Sequence, residues 1–423
     1  MKILHISALP LWSMDGRGGM PSLLETVRGH AKAGHEIEMI LPEYDLFSNE
    51  LEPIDSTNNP GIKIHIVKCP WLYPIKSFRK KIIKKHGNEI PYILRWIINL
   101  SIFKLFTISL VLKGFKIKKN FSPELIYSHN QYSSMAGFLL AKFWKIPNVT
   151  RLYGTFLADL MKKPFVSLRY PTAAAGYFVP SNLLICANDG TRGDEVAGKF
   201  KINPKKFRFW QNGIKLPEKS VNIDKEVFIE KYGKNLKKDS IWIVSCSRLS
   251  SWKRIDRMLY ALKYCVQKNT DCQLVIAGEG PEKKYLEKLA KEIGVSDYVV
   301  WLGSVAHDEI WSLMNIADIF MITNDVTNRC NPLYEAAWAG LPVVSVKDPS
   351  TKDLLTDGKN AFVSKKDNHE EMGKKLLKLC SDKDLRSKFG REQKKLSSQF
   401  KTWEERMKDE CRELEKIVSP GKN

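Results

Sequence analysis

Apolar and polar positions alternate along the first forty residues in two different periods. KILHIS, from Lys2 to Ser7, and EIEMILP, from Glu36 to Pro42, alternate as strands do. Between them a turn-rich loop, SALPLWSMDGRGGMP, leads to Ser22 and Glu25, which stand at the S-x-x-E spacing of a capping box, and Gly34 closes the helix they open. Strand, loop, helix and strand over this length predict a βαβ unit and hence a parallel sheet. Further strands are expected at IKIHIV (Ile62 to Val67), LIYSH (Leu125 to His129), NVTRLY (Asn148 to Tyr153), NLLICAN (Asn182 to Asn188) and FRFWQNG. The stretch IKLPEKSVNIDKEVFIEKYGKNLKKDS that follows reads as a polar connection.

From Ile241 the pattern restarts. Strands IWIVSCS, CQLVIAG, VVWLG, DIFMIT, VVSV and NAFVS alternate with helices RIDRMLYALKYCVQ, EKKYLEKLAKEIG, DEIWSLMNIA, PLYEAAWAGLP and KDLLTD, and helices continue to about Val418. A chain of 423 residues exceeds one ordinary core. The expected division is a first α/β domain over 1–216, a linker over 217–238, a second over 239–395, and a helical segment over 396–423 packing back on the first. The predicted fold class is therefore two Rossmann-like, doubly wound parallel-sheet domains facing a central cleft, since such sheets bind ligands beyond the carboxyl ends of their strands.

Composition narrows the class of protein. With 43% hydrophobic and 27% charged residues, a disordered or fibrous chain is excluded. The eight cysteines show no CxxC pair and no Cys/His cluster at metal-ligand spacing, so reduced, buried thiols of a cytoplasmic protein are expected, and the N-terminus carries no signal-peptide pattern. The net charge of +21 calls for an anionic partner. Basic residues gather in FRKKIIKKH (Phe78 to His86), KGFKIKKN (Lys113 to Asn120) and KKFR, and the first two bracket the apolar WIINLSIFKLFTISLVL (Trp96 to Leu112). With Lys104 near its middle, that run is short for a membrane span. A helix lying on an anionic lipid surface beside Trp71, Tyr73, Tyr92 and Trp96 is expected; a basic face over an ordinary core helix is the plainer alternative. No zinc finger, RNP-like stretch or helix-turn-helix accompanies the charge, so nucleic acid is not an expected partner.

Four loops carry candidate chemistry. In NPLYEAAWAGLP, Asn331 stands at the cap, Pro332 at the first helical position and Leu333 next, with Gly340 as the stop. The free amides and positive dipole of that helix start suit a phosphate, while Glu335 can accept from ribose hydroxyls or simply complement the dipole. In SCSRLSSWKRIDR, Arg248 and Lys253 follow a strand's carboxyl end, where two cations can hold a diphosphate; solvated surface cations are the alternative. Gly278 and Gly280 of AGEGPE, and Gly18 and Gly19 of DGRGGMPS, permit close backbone approach to a ligand. The D-x-D at Asp382 and Asp384 stands at a helix start and reads as capping, not metal binding.

Together GRGGMPSLLETVRGHAKAGHEIEMILP, QNGI, SRLSSWKRIDR, LVIAGEGPE, VVWLGSVAHDEI, IADIFMIT and NPLYEAAWAGLPVVS resemble glycosyltransferase family 4, the retaining transferases of the GT-B fold, over nearly the whole chain. The resemblance implies that Arg248 and Lys253 bind a nucleotide-sugar diphosphate and stabilise its departure, that Glu335 holds the ribose, and that the backbone from Asn331 to Leu333 holds phosphate and sugar. It places the Val300 to Leu302 strand end at the base and Gly18 and Gly19 at the junction of donor and acceptor. No metal cofactor is implied. Two positions depart from the family: Thr327 stands where a first glutamate is usual, with Asp325 the nearest acid, and Tyr153 of RLYGT stands where a histidine is usual, with His129 on the preceding strand as a replacement. A lipid-linked glycan or surface-polysaccharide precursor as acceptor, and a peripheral place on the inner face of the membrane, are the corresponding expectations. A nucleotide-sugar epimerase or phosphorylase of the same fold, or a non-catalytic membrane or nucleic-acid binding protein, are the rival readings.

Overall fold

The computed structural model describes residues 1–9, 21–43, 61–86, 91–216, 224–233 and 235–419. The chain divides into two compact units, one made of Met1–Asn212 with Trp403–Asn423, the other of Gly213–Thr402.

The first unit is built on seven parallel strands, β1 (Lys2–Ser7), β2 (Glu36–Pro42), β3 (Ile62–Val67), β4 (Leu125–His129), β5 (Asn148–Leu152), β6 (Leu183–Ala187) and β7 (Phe207–Trp210), in the order β3-β2-β1-β4-β5-β6-β7. β1 pairs with both β2 and β4, so the winding reverses there, which is where doubly wound sheets bind ligands. β1, β4, β5 and β6 are buried almost throughout, as strands covered on both faces must be. The first helix runs Pro21–Lys32, so Ser22 is its second residue and not its cap; Pro21, with its fixed φ, stands at the first helical position. The Ser22 hydroxyl accepts from Asn212 Nδ2 at 3.1 Å. The apolar run lies inside a longer helix, Tyr92–Lys118, that buries Ile98, Ile102, Phe103, Phe106, Leu110 and Ile117 and exposes Ile93, Ile97, Ile108, Leu112 and Phe115. By length and composition it is the one helix among the described residues that passes as a membrane span, yet its inner face belongs to the unit's core. The last helix, Trp403–Val418, is part of this unit and puts Leu414 in its core.

The second unit holds six parallel strands, β8 (Ile241–Cys246), β9 (Cys272–Ala277), β10 (Val299–Gly303), β11 (Ile319–Ile322), β12 (Val343–Val346) and β13 (Ala361–Ser364), in the order β10-β9-β8-β11-β12-β13. β8 is the switch point, flanked by β9 and β11. Within the stretch read as a polar connection, Lys225–Tyr232 is a helix, and its Phe228 packs against Tyr232 and Trp242. KDLLTD, expected to be helical, is not: a 3-10 turn covers Pro349–Thr351 and irregular turns follow. Asp348 caps Ser350 N at 2.8 Å, and Asn360 accepts from Thr356 N and donates to Leu354 O, so side chains take the backbone partners a helix would need. Asp382 accepts from Leu385 N at 2.8 Å and caps the helix Lys383–Ser397.

Candidate active site

In the second unit the segment after β8 is sewn to the segment after β9. Ser247 N donates to Ala277 O at 3.0 Å, Leu249 N to Glu279 O at 2.9 Å, and Glu282 N to Leu249 O at 3.1 Å. A Cβ at Gly278, whose φ is +151°, would stand 1.9 Å from Ser247 O, and one at Gly280 would stand 2.2 Å from Leu249 O. The close approach these glycines permit is thus to the backbone that carries Arg248. Arg248 itself is exposed, while Lys253 is only 9% exposed and lies 4.1 Å from the centroid of the Trp252 ring. Neither forms an ion pair with a carboxylate among the described residues. A cation this buried is destabilising until an anion meets it.

The segment after β11 abuts this one, with Asp325 N donating to Trp252 O at 2.9 Å. Its interior is polar and satisfied: Asn324 N donates to Asn328 Oδ1 at 2.8 Å, and Asn328 N to Asp348 Oδ2 at 2.6 Å. Asp325 accepts from Arg257 at 2.7 Å and from Arg254 at 3.2 Å. Burial acts to raise the Asp325 pKa, but the two guanidinium groups outweigh it and hold the carboxyl below the ordinary range. Asp325 therefore ties this loop to the helix Ile255–Val266. The Thr327 hydroxyl accepts from Arg329 N and meets the Ser350 hydroxyl, each at 3.0 Å.

The helix that follows runs Asn331–Ala339, with Cys330 at its cap and Gly340, at φ +75°, ending it in the left-handed region. Asn331 is its first residue and not its cap, so the helix starts one position earlier than expected, and Glu335 accordingly falls in its second turn. Glu335 is buried, and its Oε1 lies 3.1 Å from His307 Nε2. Burial opposes charge on His307, but the Glu335 carboxylate more than compensates and raises the histidine pKa. His307, first residue of the helix Ile316 closes, was not singled out from sequence; its place just past β10 was the available signal. Leu302 is half-buried on β10, next to Gly303, whose carbonyl accepts from Gly278 N at 2.7 Å.

In the first unit, Gly18 and Gly19 lie outside the described residues. His129 ends β4, fully buried, and Tyr153 stands half-buried just past β5, its hydroxyl 2.7 Å from His129 Nδ1. Both belong to a buried polar cluster centred on Glu410 of the last helix. Arg151 Nη1 donates to Glu410 Oε2 at 2.6 Å and Arg406 Nη2 to the same oxygen at 3.0 Å. Burial alone would raise the Glu410 pKa; Arg151, His30 and Arg406 reverse this and hold the carboxyl well below its ordinary range. Sequence reasoning missed Glu410, Arg151, His5 and His30, although a charged residue inside the apolar strand NVTRL was a visible anomaly.

Sequence spacing offered no metal-ligand cluster, but the fold gathers Cys265, Cys272 and Cys380 with their sulfurs within 4.8 Å of one another, inside the core of the second unit. Cys272 is the first residue of β9, at the opposite end of the sheet from the loops that hold Arg248 and Glu335.

Residues 225–396 match a family model described as Glycosyl transferases group 1. The chain is 23% identical over 391 residues to the alpha-monoglucosyldiacylglycerol synthase of Acholeplasma laidlawii, covering 89% of this chain and 87% of that protein. It is 29% identical over 149 residues, 34% of this chain and 39% of the other, to the GDP-mannose-dependent alpha-(1-6)-phosphatidylinositol monomannoside mannosyltransferase of Mycobacterium tuberculosis. Among solved structures, Anabaena HepE in complex with UDP shares the fold with a TM-score of 0.67 at 16% identity, covering 99% of this chain and 100% of that one. Two switch-point sheets, a matched second unit and a relative aligned along most of the chain support one reading, a glycosyltransferase of the family 4 type with the GT-B fold, moving a sugar from a nucleotide-sugar donor to an acceptor.

Proposed function

We propose that this glycosyltransferase passes its sugar, with retention of configuration and without a metal cofactor, to a lipid or lipid-linked glycan at the inner, anionic face of the cell membrane. The observation that carries the donor half is Lys253, a nearly buried ammonium with no carboxylate partner among the described residues, on the segment that also bears Arg248. The diphosphate of a nucleotide sugar supplies the missing counter-charge. When the bond from sugar to diphosphate breaks, charge grows on the leaving oxygen, and fixed cations beside a helix start stabilise it without reorganisation. Those groups are Arg248, Lys253 and the amides opening Asn331–Ala339, with Pro332 and Leu333 in its first turn. Glu335, oriented by His307, accepts from the ribose hydroxyls. Leu302 lies against the base, and Gly278 and Gly280 hold the Arg248 segment in place.

Two relatives are named for glycolipid chemistry, which supports a lipid acceptor. The exposed face of Tyr92–Lys118 supports a membrane surface: Ile93, Ile97, Ile108, Leu112 and Phe115 face outward with Lys104 and Lys116, and exposed Phe143 packs 5.7 Å from Phe115. An apolar stripe with lysines, on a helix whose other side is core, suits one lying in the lipid interface.

The donor half is tested by thermal shift with a panel of nucleoside diphosphates in chelator; stabilisation by one of them, lost in Lys253→Ala, is expected, and no shift with any would overturn it. For the membrane half, phosphatidylglycerol vesicles should sediment the wild type and not an Ile108→Asp/Leu112→Asp variant. Equal sedimentation of the two would remove this helix from the interface.

A further inference from the structure

Three thiols meet within the second unit, at the end of its sheet away from Arg248 and Glu335, and sugar transfer uses none of them. Local geometry brings them together. Cys265 stands in the last turn of the helix Ile255–Val266, and Lys268 N and Thr270 N donate to its carbonyl at 3.0 and 3.2 Å, turning the chain at once into Cys272, the first residue of β9. Cys380 comes from the last turn of the helix His369–Ser381. Gly373 lies on the same face of that helix, two turns earlier, and a Cβ there would stand 2.4 Å from Tyr264 Cβ. Without one the two helices close, and Cys380 reaches Cys265. Cys265 and Cys272 are fully buried and Cys380 nearly so, while Gln267, Lys268 and Asn269 of the connecting turn are exposed. The thiols therefore lie one layer beneath solvent.

The group offers three ligand atoms and no fourth: among the described residues no histidine, carboxylate or further cysteine joins it. It sits in the apolar cluster that holds Leu262, Leu376 and Phe389. Three sulfurs about 2.3 Å from one centre lie at most about 4 Å apart, so thiols already within 4.8 Å of one another close on an ion with shifts on the order of 1 Å. Coordination number and charge then choose the ion. Zinc takes four ligands, and three thiolates around it leave a net negative charge in the core. Monovalent copper accepts three soft sulfurs but leaves a larger one. A trivalent ion whose lone pair fills the fourth position leaves none, and an apolar interior favours the neutral complex.

We propose that Cys265, Cys272 and Cys380 form a three-sulfur site for a trivalent thiophilic ion, arsenic(III), which reaches it in water as uncharged As(OH)3. Binding is ligand exchange without oxidation or reduction: three As–O bonds break, three As–S bonds form and three waters leave. Cys272 starts the exchange. Hydrogen bonds from Cys265 and Cys380 hold its thiol below the ordinary range, against burial and Asp271, and the thiolate is the nucleophile. The hydroxyl it displaces leaves as water with a proton from solvent; the other two leave with the protons of Cys265 and Cys380. The product is uncharged and ties the helix Ile255–Val266, β9 and the helix His369–Ser381 together at one point.

The full chain, reduced with a phosphine, incubated with arsenite and desalted, should retain one arsenic per molecule. X-ray absorption at the arsenic edge should show three sulfur neighbours and no oxygen. Two sulfurs with an oxygen, or no retained arsenic, would overturn the site. The melting temperature should rise by roughly 5 °C with arsenite at about a hundredfold its dissociation constant, since the ion binds only the folded arrangement. Cys272→Ala and Cys380→Ala should each bind arsenite roughly tenfold more weakly or worse, a loss of about 1.4 kcal/mol or more. Wild-type affinity in either variant would put the arsenic on other cysteines and reject the assignment. Where a variant does not fold, the sulfur count in the wild-type spectrum decides alone.

Discussion

The two units handle buried charge in opposite ways. In the first, Glu410 is surrounded by Arg151, Arg406, His30 and Tyr127, so its charge is answered within the fold. In the second, Lys253 sinks to 9% exposure with an indole face and no carboxylate among the described residues. Compensated charge of the first kind fixes structure, because removing one partner strands the others. Uncompensated charge of the second kind costs stability in the free protein and is repaid by a ligand. The same amino-acid chemistry therefore marks a scaffold in one unit and, in the proposed function, a binding site in the other.

The sharpest way to break this contrast is Glu410→Leu. Stranding Arg151 and Arg406 should destabilise the protein by about 4 kcal/mol in denaturant unfolding, the range for breaking a buried pair. An effect under about 1 kcal/mol would mean the cluster is not structural. Acid should act in the same direction. The depressed Glu410 pKa contributes stability above its unfolded value that is lost as pH falls through the folded one. His5 and His129, held neutral, leave the unfolded chain binding protons that the folded chain refuses once pH drops below 6.5. Stability should thus decline below that pH, by up to about 1.4 kcal/mol per unit for each histidine, and a flat profile between pH 7 and 5 would contradict the cluster.

In the second unit Gly278→Ala should cost about 2 to 3 kcal/mol, because its Cβ meets a backbone oxygen and only the Arg248 segment can yield. Nucleotide affinity should fall with it; unchanged affinity would uncouple the glycine from the site. Lys253→Met should weaken nucleoside diphosphate by about 2 kcal/mol, roughly 30-fold, while leaving the free protein as stable or more so. A destabilised free protein would show that Lys253 has a structural partner and erase the contrast. The smallest effect is expected for His307→Asn, about 1 kcal/mol in nucleoside binding by calorimetry, since Glu335 keeps its place and loses one orienting bond.

Both sheets were legible in the sequence because β1 to β13 are short, apolar and separated by turn residues, so local period and burial agree. The loops bearing Arg248, Lys253 and Glu335 were legible for the same reason, each following a strand end. Where local and tertiary demands diverge, the reading slipped. KDLLTD has helical composition, but Asp348 and Asn360 claim its backbone. Asp325 was a candidate for the family's absent glutamate, and only the fold shows it held by Arg254 and Arg257.

By itself the sequence determined two parallel α/β sheets, the strand-end loops, and the residues whose spacing suits a diphosphate. Those properties are local: periodicity, capping and turn chemistry act within a dozen residues. Tertiary structure alone decided which charges are answered and which wait. Tyr127 meets Glu410 across 283 positions of chain and Arg151 meets it across 259, while Lys253 meets no acid among the described residues. Electrostatic pairing depends on distance in space and on burial, and neither is written in the spacing of residues along the chain.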